Sequence, residues 1–259
     1  MPDPTAEFTV PDRFRGRVVV VTGAAGGIGT ALVSRAVREG AVVVATDRRE
    51  DGKDVVAGLV GDTTWEYVDA DLADEQDAQR LIDTAVARFG RLDVLLNNAG
   101  GGINRDFLTH TSQTRVETVN RNLWTVVNCC TSVLPVMRAA GYGRIVNVGA
   151  DSVRNGLFQH AMYNAAKGGV HGITTGLARE FALDGITVNT VAPTGVQTPF
   201  VESRPPEAVD RFEKTRQLIP LGRFATTAEV ASAVLYLASE EASFITGQVV
   251  SVNGGSTML

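Results

Sequence analysis

The chain has 259 residues, 44% of them hydrophobic and 20% charged, with a formal net charge of −5. That length and apolar share suit one large globular domain with a substantial core, and the mildly acidic balance gives no electrostatic footprint for nucleic acid or an anionic membrane. No apolar run in the sequence reaches ~18 residues, so no membrane span is expected.

The first residues, MPDPTAEFTVPDRFRG, are polar and Pro-rich and lack a signal-peptide core. Residues 1–13 are expected to form a flexible arm ahead of a single domain at 14–259. Arg17 to Thr22, RVVVVT, is a β-branched run of the kind found in strands buried on both faces. Gly23-Ala24-Ala25-Gly26-Gly27-Ile28-Gly29 follows. Ile28, Leu32, Ala36 and Val37 then recur at helical spacing, with Gly40 as a stop. Ala41 to Thr46 is the second strand. Strand, Gly-rich turn, helix and strand together allow a tight turn, close backbone approach to a pyrophosphate and a helix N-terminus aimed at it. Asp47 closes the second strand. Its carboxylate is able to accept from both adenosine ribose hydroxyls and repels a 2′-phosphate, so NAD is expected over NADP. Arg48 and Arg49 come next and could in principle hold such a phosphate; they read as solvated loop charges.

Trp65 to Val68 is the third strand, followed by Asp71-Leu72, with Asp74 placed to cap the next helix. In that helix Leu81, Ile82, Ala85, Val86 and Phe89 form an apolar face. Leu92 to Leu96 is the fourth strand and runs into Asn97-Asn98-Ala99-Gly100; Gly100 to Gly102 let the backbone come close to a ligand. Residues 112–138 form one long helical pattern that contains Asn120, Asn122 and the only cysteines, Cys129 and Cys130. Adjacent cysteines make neither a disulfide framework nor a metal spacing, so no metal site is expected and a reducing, cytoplasmic setting fits. Arg144 to Val148 is the fifth strand. From Asp151 to Gly168 the chain reads DSVRNGLFQHAMYNAAKG. Tyr163 and Lys167 in this stretch share one helix face. A cation near a phenol favours the phenolate and lowers a pKa ordinarily near ~10. A Tyr tuned in this way takes a proton from an alcohol or gives one to a ketone. The helix continues to Asp184, and Gly168 and Gly169 on it suggest close packing, with another subunit as one possible neighbour. Thr187 to Ala192 is the sixth strand, before Pro193-Thr194-Gly195-Val196-Gln197-Thr198. Residues 199–222 lack a clean period. Thr226 to Ser239 is a helix capped by Thr226 or Thr227 with Glu229 close behind, and Gln248 to Val252 is the seventh strand. There is no internal repeat and no linker.

The spacing Thr22-Gly23-xxx-Gly27-x-Gly29 differs from the common G-x-G-x-x-G fingerprint. With Asn97-Asn98-Ala99-Gly100 and Tyr163-xxx-Lys167, it resembles the short-chain dehydrogenase/reductase family over nearly the whole chain, from Arg17 to Gly255. The resemblance implies an α/β fold: one Rossmann-like, doubly wound parallel sheet of about seven strands with helices on both faces. It implies cofactor binding by Gly23, Gly27, Ile28, Gly29 and Asp47, with Asp71 and Leu72 at the adenine and Asn98, Ala99 and Gly100 under the ribose. Val196 and Thr198 match positions that hold the nicotinamide carboxamide. Tyr163 would carry the proton, and Lys167 would lower its pKa and hold the nicotinamide ribose. Asn122, aligned by counting back from Leu134-Pro135, would hold a water linking Lys167 to solvent; Asn120 is its rival. Residues 199–222 correspond to the lid, with Phe200 and Phe212 lining a pocket or packing the lid down. The family commonly forms tetramers, so a homotetramer is expected.

Two positions depart from the family. It usually places a Ser thirteen positions before the Tyr to hold the substrate oxygen, and here that position is Ala150. Gly149 offers no side-chain donor either. Ser152 lies two residues on, ~6–7 Å along an extended chain, and is expected to serve only if the loop bends back. The alternative is that Ser152 and Asp151 belong to a loop or helix cap. Asp151 and His160 are the next groups at hand. The second departure is Thr194, where the family has Pro-Gly. The expected function is an NAD-dependent oxidoreductase interconverting a small secondary alcohol and a ketone. Cyclic alcohols or dihydrodiols are favoured, because Leu-Trp-xxx-Asn-Cys-Cys and Asn-Val-Gly-Ala-Asp look similar to segments of ring-degradation dehydrogenases. A 3-oxoacyl reductase is the nearest alternative enzyme. A nucleotide-binding protein with lost or altered redox activity is the alternative of another class, motivated by Ala150.

Overall fold

The β-branched runs pair as seven parallel strands in the computed structural model, which describes residues 9–199 and 206–258. The strands are β1 (Val18–Thr22), β2 (Val42–Asp47), β3 (Trp65–Asp69), β4 (Val94–Asn97), β5 (Gly143–Val148), β6 (Ile186–Pro193) and β9 (Val249–Val252), in the spatial order β3-β2-β1-β4-β5-β6-β9. A second, two-stranded sheet joins β7 (Val196–Gln197) to β8 (Ala225–Thr226). Alternation along each strand divides its side chains between two cores. Val19 and Val21 enter one and Val18 and Val20 the other; Val94 and Leu96 oppose Leu95 in the same way. A one-residue slip in register would exchange the two sets, so the pairing is strongly specified.

On one face lie α1 (Gly27–Arg38), α2 (Gly52–Val60) and the helix Thr227–Leu237, packed through Leu32, Ala36, Val56, Val230 and Val234. On the other lie α3 (Glu75–Phe89), α5 (Thr125–Ala140) and α7 (Ala161–Phe181), packed through Leu81, Ile82, Cys129, Val133 and Val170. Each such side chain, fully buried, contributes about 1.5–3 kcal/mol. The sequence reading missed α2, a nine-residue helix with Gly58 inside it. Asp74 caps α3 as expected, accepting from the backbone N–H groups of Gln76 and Asp77. Thr226, not Thr227, caps the last helix in a reciprocal box with Glu229.

The long helix expected over 112–138 is interrupted. α4 (Ser112–Val119) passes into a π turn at Asn120–Trp124 before α5 begins. The Asn122 amide donates to the Thr118 carbonyl at 2.9 Å, which gives the backbone an alternative partner at that point. By length and composition the stretch Ser112–Ala140 could cross a membrane, but half of its apolar window is buried inside this fold. At the N-terminal end, residues 1–8 lie outside the described residues, and residues 10–14 are tied to the domain. The Val10 N–H donates to buried Glu39, Arg13 pairs with the same carboxylate, and Phe14 enters the core.

Strand order reverses between β1 and β4. The crevice beyond the carboxyl ends of the strands at this switch point is where α/β sheets of this kind bind ligands.

Candidate active site

The first wall of that crevice is the turn from β1 into α1. Gly23 has φ +62°, and a Cβ there would lie 2.9 Å from the Ala99 Cα. A Cβ on Gly29 would lie 2.0 Å from the Gly23 carbonyl oxygen, and one on Gly27 would lie 2.7 Å from the Thr198 Cγ2. Three of the predicted glycines are thus required by close approach. No side chain caps α1 at Gly26, and its first turn carries no acid. Its leading amide groups and the positive end of its dipole are therefore available to an anion.

Asp47 is fixed across this turn. One carboxylate oxygen accepts from the Ala25 N–H at 2.9 Å and the other from the Arg49 N–H at 3.1 Å. The two arginines read as solvated loop charges are half exposed but engaged: Arg49 forks onto Asp51, and Arg48 reaches Asp71 at 3.3 Å. Hydrogen bonding to Asp51 raises the pKa of Arg49. Asn98 joins the turn to β4, donating to the carbonyls of Thr22 and Gly23, while the N–H groups of Asn98 and Ala99 donate to the Thr22 hydroxyl.

A cavity of about 1120 Å³ runs from Asp47, Asp71 and Leu72 to Ala150, Tyr163 and Phe212. Gly23, Gly27, Ile28, Asn98, Ala99, Gly100, Ser152, Lys167, Val196 and Thr198 also line it. Gly29 and Asn122, both predicted for the site, do not. Gly29 is packed beneath the turn. Asn122 is fully buried behind the loop, where its amide donates to the Gly101 carbonyl and its oxygen accepts from the Gly101 N–H. Gly100 separates Asn122 from Lys167. A Cβ at that position would lie 2.8 Å from the Asn122 oxygen and 3.3 Å from the Lys167 ammonium.

Lys167 is 3% exposed and donates to the Val148 carbonyl at 2.7 Å. Burial holds its pKa down to about 8. Tyr163 corrects an expectation: burial pushes its phenol up to about 12, where a neighbouring cation was expected to lower it. Loss of water disfavours the phenolate, and the Lys167 ammonium donates to a backbone carbonyl.

The departures from the family pattern have local reasons. Ser152 opens the short helix α6 (Ser152–Asn155), and its hydroxyl donates to the Asn164 side-chain oxygen at 2.6 Å. It lines the cavity with its proton already placed. Asp151 is fully buried and accepts from Ser251, Asn253 and Ser256, tying the end of β5 to the C-terminal segment. Ala150 stands beside His171, whose ring nitrogen lies 3.4 Å from the Ala150 N–H. Burial and nearby cations hold His171 down to about 4. At the second departure, a Cβ on Gly195 would lie 2.3 Å from the Phe224 ring, so the glycine stands one place later than the family norm. Gly169 packs close to Leu123 of the same chain, whose Cδ2 would lie 2.9 Å from a Cβ at that position.

The sequence reading missed Asn104, Arg121, Thr215 and Phe224, all of which line the cavity. Asn104 lies two residues after the glycine run, which was its one available signal. Of the expected lid, the helix Pro206–Gln217 is described, with Phe212 and Thr215 facing the cavity, and Phe200 lies outside the described residues.

Comparison with known proteins places this geometry among relatives. A family model described as enoyl-(acyl carrier protein) reductase matches residues 23–257. A 2,3-dihydroxy-2,3-dihydro-p-cumate dehydrogenase of Pseudomonas putida is 52% identical over 252 residues, 95% of this chain and 96% of that one. A 3-oxoacyl-(acyl-carrier-protein) reductase of Thermotoga maritima is 38% identical, covering 94% of this chain and 98% of its own. The crystal structure of levodione reductase superposes with a TM-score of 0.87 at 31% identity, over 93% of this chain and 98% of that chain.

Proposed function

The chain belongs to the short-chain dehydrogenase/reductase family and is an oxidoreductase, and from that premise we propose that it oxidises a cyclic dihydrodiol with NAD. The observation that carries this reading is the 52% identity to a dihydrodiol dehydrogenase across 95% of the chain, against 38% for a 3-oxoacyl reductase.

The residues present fit a dinucleotide. The uncapped start of α1 suits a pyrophosphate. The Thr46 hydroxyl is buried at the same end of the cavity without a partner among the described residues. Asp47 stands at the end of β2, where its carboxylate would take the adenosine ribose hydroxyls and repel a 2′-phosphate. Arg48 and Arg49 are already engaged by Asp71 and Asp51, which favours NAD over NADP. Asp71 and Leu72 would flank the adenine, and Val196 and Thr198 the carboxamide. Bound NAD supplies the hydride acceptor. With NAD bound, the Tyr163 phenolate would be favoured by the Lys167 ammonium and the positive nicotinamide, and it would take the hydroxyl proton; Lys167 would also hold the nicotinamide ribose, and Asn122 would complete the proton path behind Gly100. We read residues 199–222 as the lid.

The test is NADH formation against a panel of cyclic dihydrodiols, monohydric cyclic alcohols and 3-hydroxyacyl thioesters, with NAD and NADP in parallel. The dihydrodiols should give the highest kcat/KM, with NAD. A best rate on the thioesters would replace this reading with the 3-oxoacyl reductase, and cofactor binding without any turnover would favour a nucleotide-binding protein. We place the protein in the cytoplasm, where its buried thiols Cys129 and Cys130 suit reducing conditions. We also propose a homotetramer, supported by exposed Val116 and Trp124 on the stretch Ser112–Ala140 and by open space at Gly172 and Gly176 on α7. Light scattering of the purified protein tests this.

A further inference from the structure

Oxidation of a vicinal diol at one carbon leaves a second hydroxyl to be recognised, and Tyr163 attends only to the first. The wall next to Tyr163 holds a chain of oriented polar groups. The His160 ring meets the Tyr163 ring edge-on, with centroids 5.8 Å apart. Its Nδ1 lies 2.7 Å from the Phe158 carbonyl oxygen. A carbonyl only accepts, so Nδ1 carries the hydrogen and Nε2 is left as an acceptor. Nε2 in turn lies 3.1 Å from the Asn104 Nδ2. That nitrogen must be the donor, which fixes an amide orientation that is otherwise ambiguous. The Phe158 carbonyl, acting through His160, thus determines where the Asn104 Oδ1 points.

That oxygen is buried and has no hydrogen-bond partner among the described residues. A buried, unpaired acceptor is costly, and such groups in folded proteins call for an explanation. Asn104 and His160 both line the cavity. The carboxamide is held close over Gly102, where a Cβ would come within 2.6 Å of the same Oδ1. Any larger residue at 102 would displace it.

We propose that Asn104, oriented by His160, forms the subsite for the second hydroxyl of a vicinal diol, which donates its hydrogen bond to Oδ1. The inference rests on the dihydrodiol reading above and assigns the residue that distinguishes a diol from a simple alcohol. Asn104 is a specificity residue, and His160 is a positioning residue that acts through it.

The experiment compares kcat/KM on a cyclic vicinal dihydrodiol with kcat/KM on the matching alcohol that lacks the second hydroxyl. Wild type should prefer the diol. Asn104→Ala should lower the diol-to-monoalcohol ratio by about tenfold or more, the effect of losing one buried hydrogen bond to substrate. His160→Phe keeps the aromatic contact but frees the amide, and should move the ratio in the same direction by less. Gly102→Ala leaves both residues in place, pushes the carboxamide aside, and should also lower the ratio. Equal losses on both substrates, or an unmoved ratio in Asn104→Ala, would overturn the subsite while leaving the oxidoreductase reading standing. Wild type that oxidises the monoalcohol as well as the diol would also overturn it. Wild type that oxidises neither, but does oxidise a hydroxyacyl thioester, would remove the dihydrodiol reading and the subsite with it.

Discussion

Replacing Lys167 by Met should make the protein inactive and change its stability in a pH-dependent way. Lys167 is 3% exposed, it donates to the Val148 carbonyl, and no ion pair joins it to a described carboxylate. Burial brings its pKa from 10.5 to about 8. Each factor of ten in proton affinity corresponds to about 1.4 kcal/mol, so holding this cation in the fold costs roughly 3 kcal/mol. The cost is fully present below pH 8. Between about 8 and 10.5 the folded protein has released the proton and the unfolded chain still binds it, so wild-type stability rises with pH through that window. Met fills similar space without the charge, but it leaves the Val148 carbonyl without its donor, an offset of about 1–3 kcal/mol. The two terms nearly cancel at pH 7, and the informative quantity is the slope. Urea unfolding of both proteins, at one fixed protein concentration, should show the Met variant losing about 1.4 kcal/mol relative to wild type for each pH unit above 8. Tyr163, pushed up to about 12, lowers stability above pH 10 in both proteins and cancels in the comparison. A difference between the two proteins that does not change from pH 7 to 10 would refute the argument.

Four other substitutions test the site. Asp47→Ala should weaken NADH binding by about tenfold or more, through loss of charge-assisted hydrogen bonds, and should narrow the gap to NADPH in a fluorescence titration. Tyr163→Phe keeps the ring and drops the hydroxyl, so steady-state turnover should vanish while NADH affinity stays close to wild type. Ser152→Ala should change kcat by less than about threefold, because the Ser152 proton is committed to Asn164, whereas Ala150→Ser should raise kcat on a simple ketone, since a single oxyanion donor is worth about 10²–10³ in rate where nothing else supplies it.

Much of this protein is legible along the chain because the determining interactions are local or periodic. The valine runs at 18–21 and 42–44 identify strands buried on both faces, since a two-sided core favours apolar β-branched residues at successive positions. The glycines at 23, 27 and 29 mark a turn that admits no Cβ, and Tyr163 and Lys167 sit one helical turn apart whatever surrounds them. The sequence by itself therefore determined the sheet, the glycine turn at its switch point and the placing of Tyr163 and Lys167 on one helix. The tertiary structure decided what depends on neighbours distant in sequence. Cavity walls set the direction of the Tyr163 shift, which no spacing of Tyr and Lys reveals. A bond to Asn164 commits the Ser152 proton, and Asp151 is taken up by Ser251, Asn253 and Ser256, about a hundred residues away. Asn104 and His160 are 56 residues apart and meet only because the loop after β4 and the start of α7 face the same end of the sheet. Burial and hydrogen-bond partnership are properties of folded neighbours, and they fixed the state of each group that the sequence had only located.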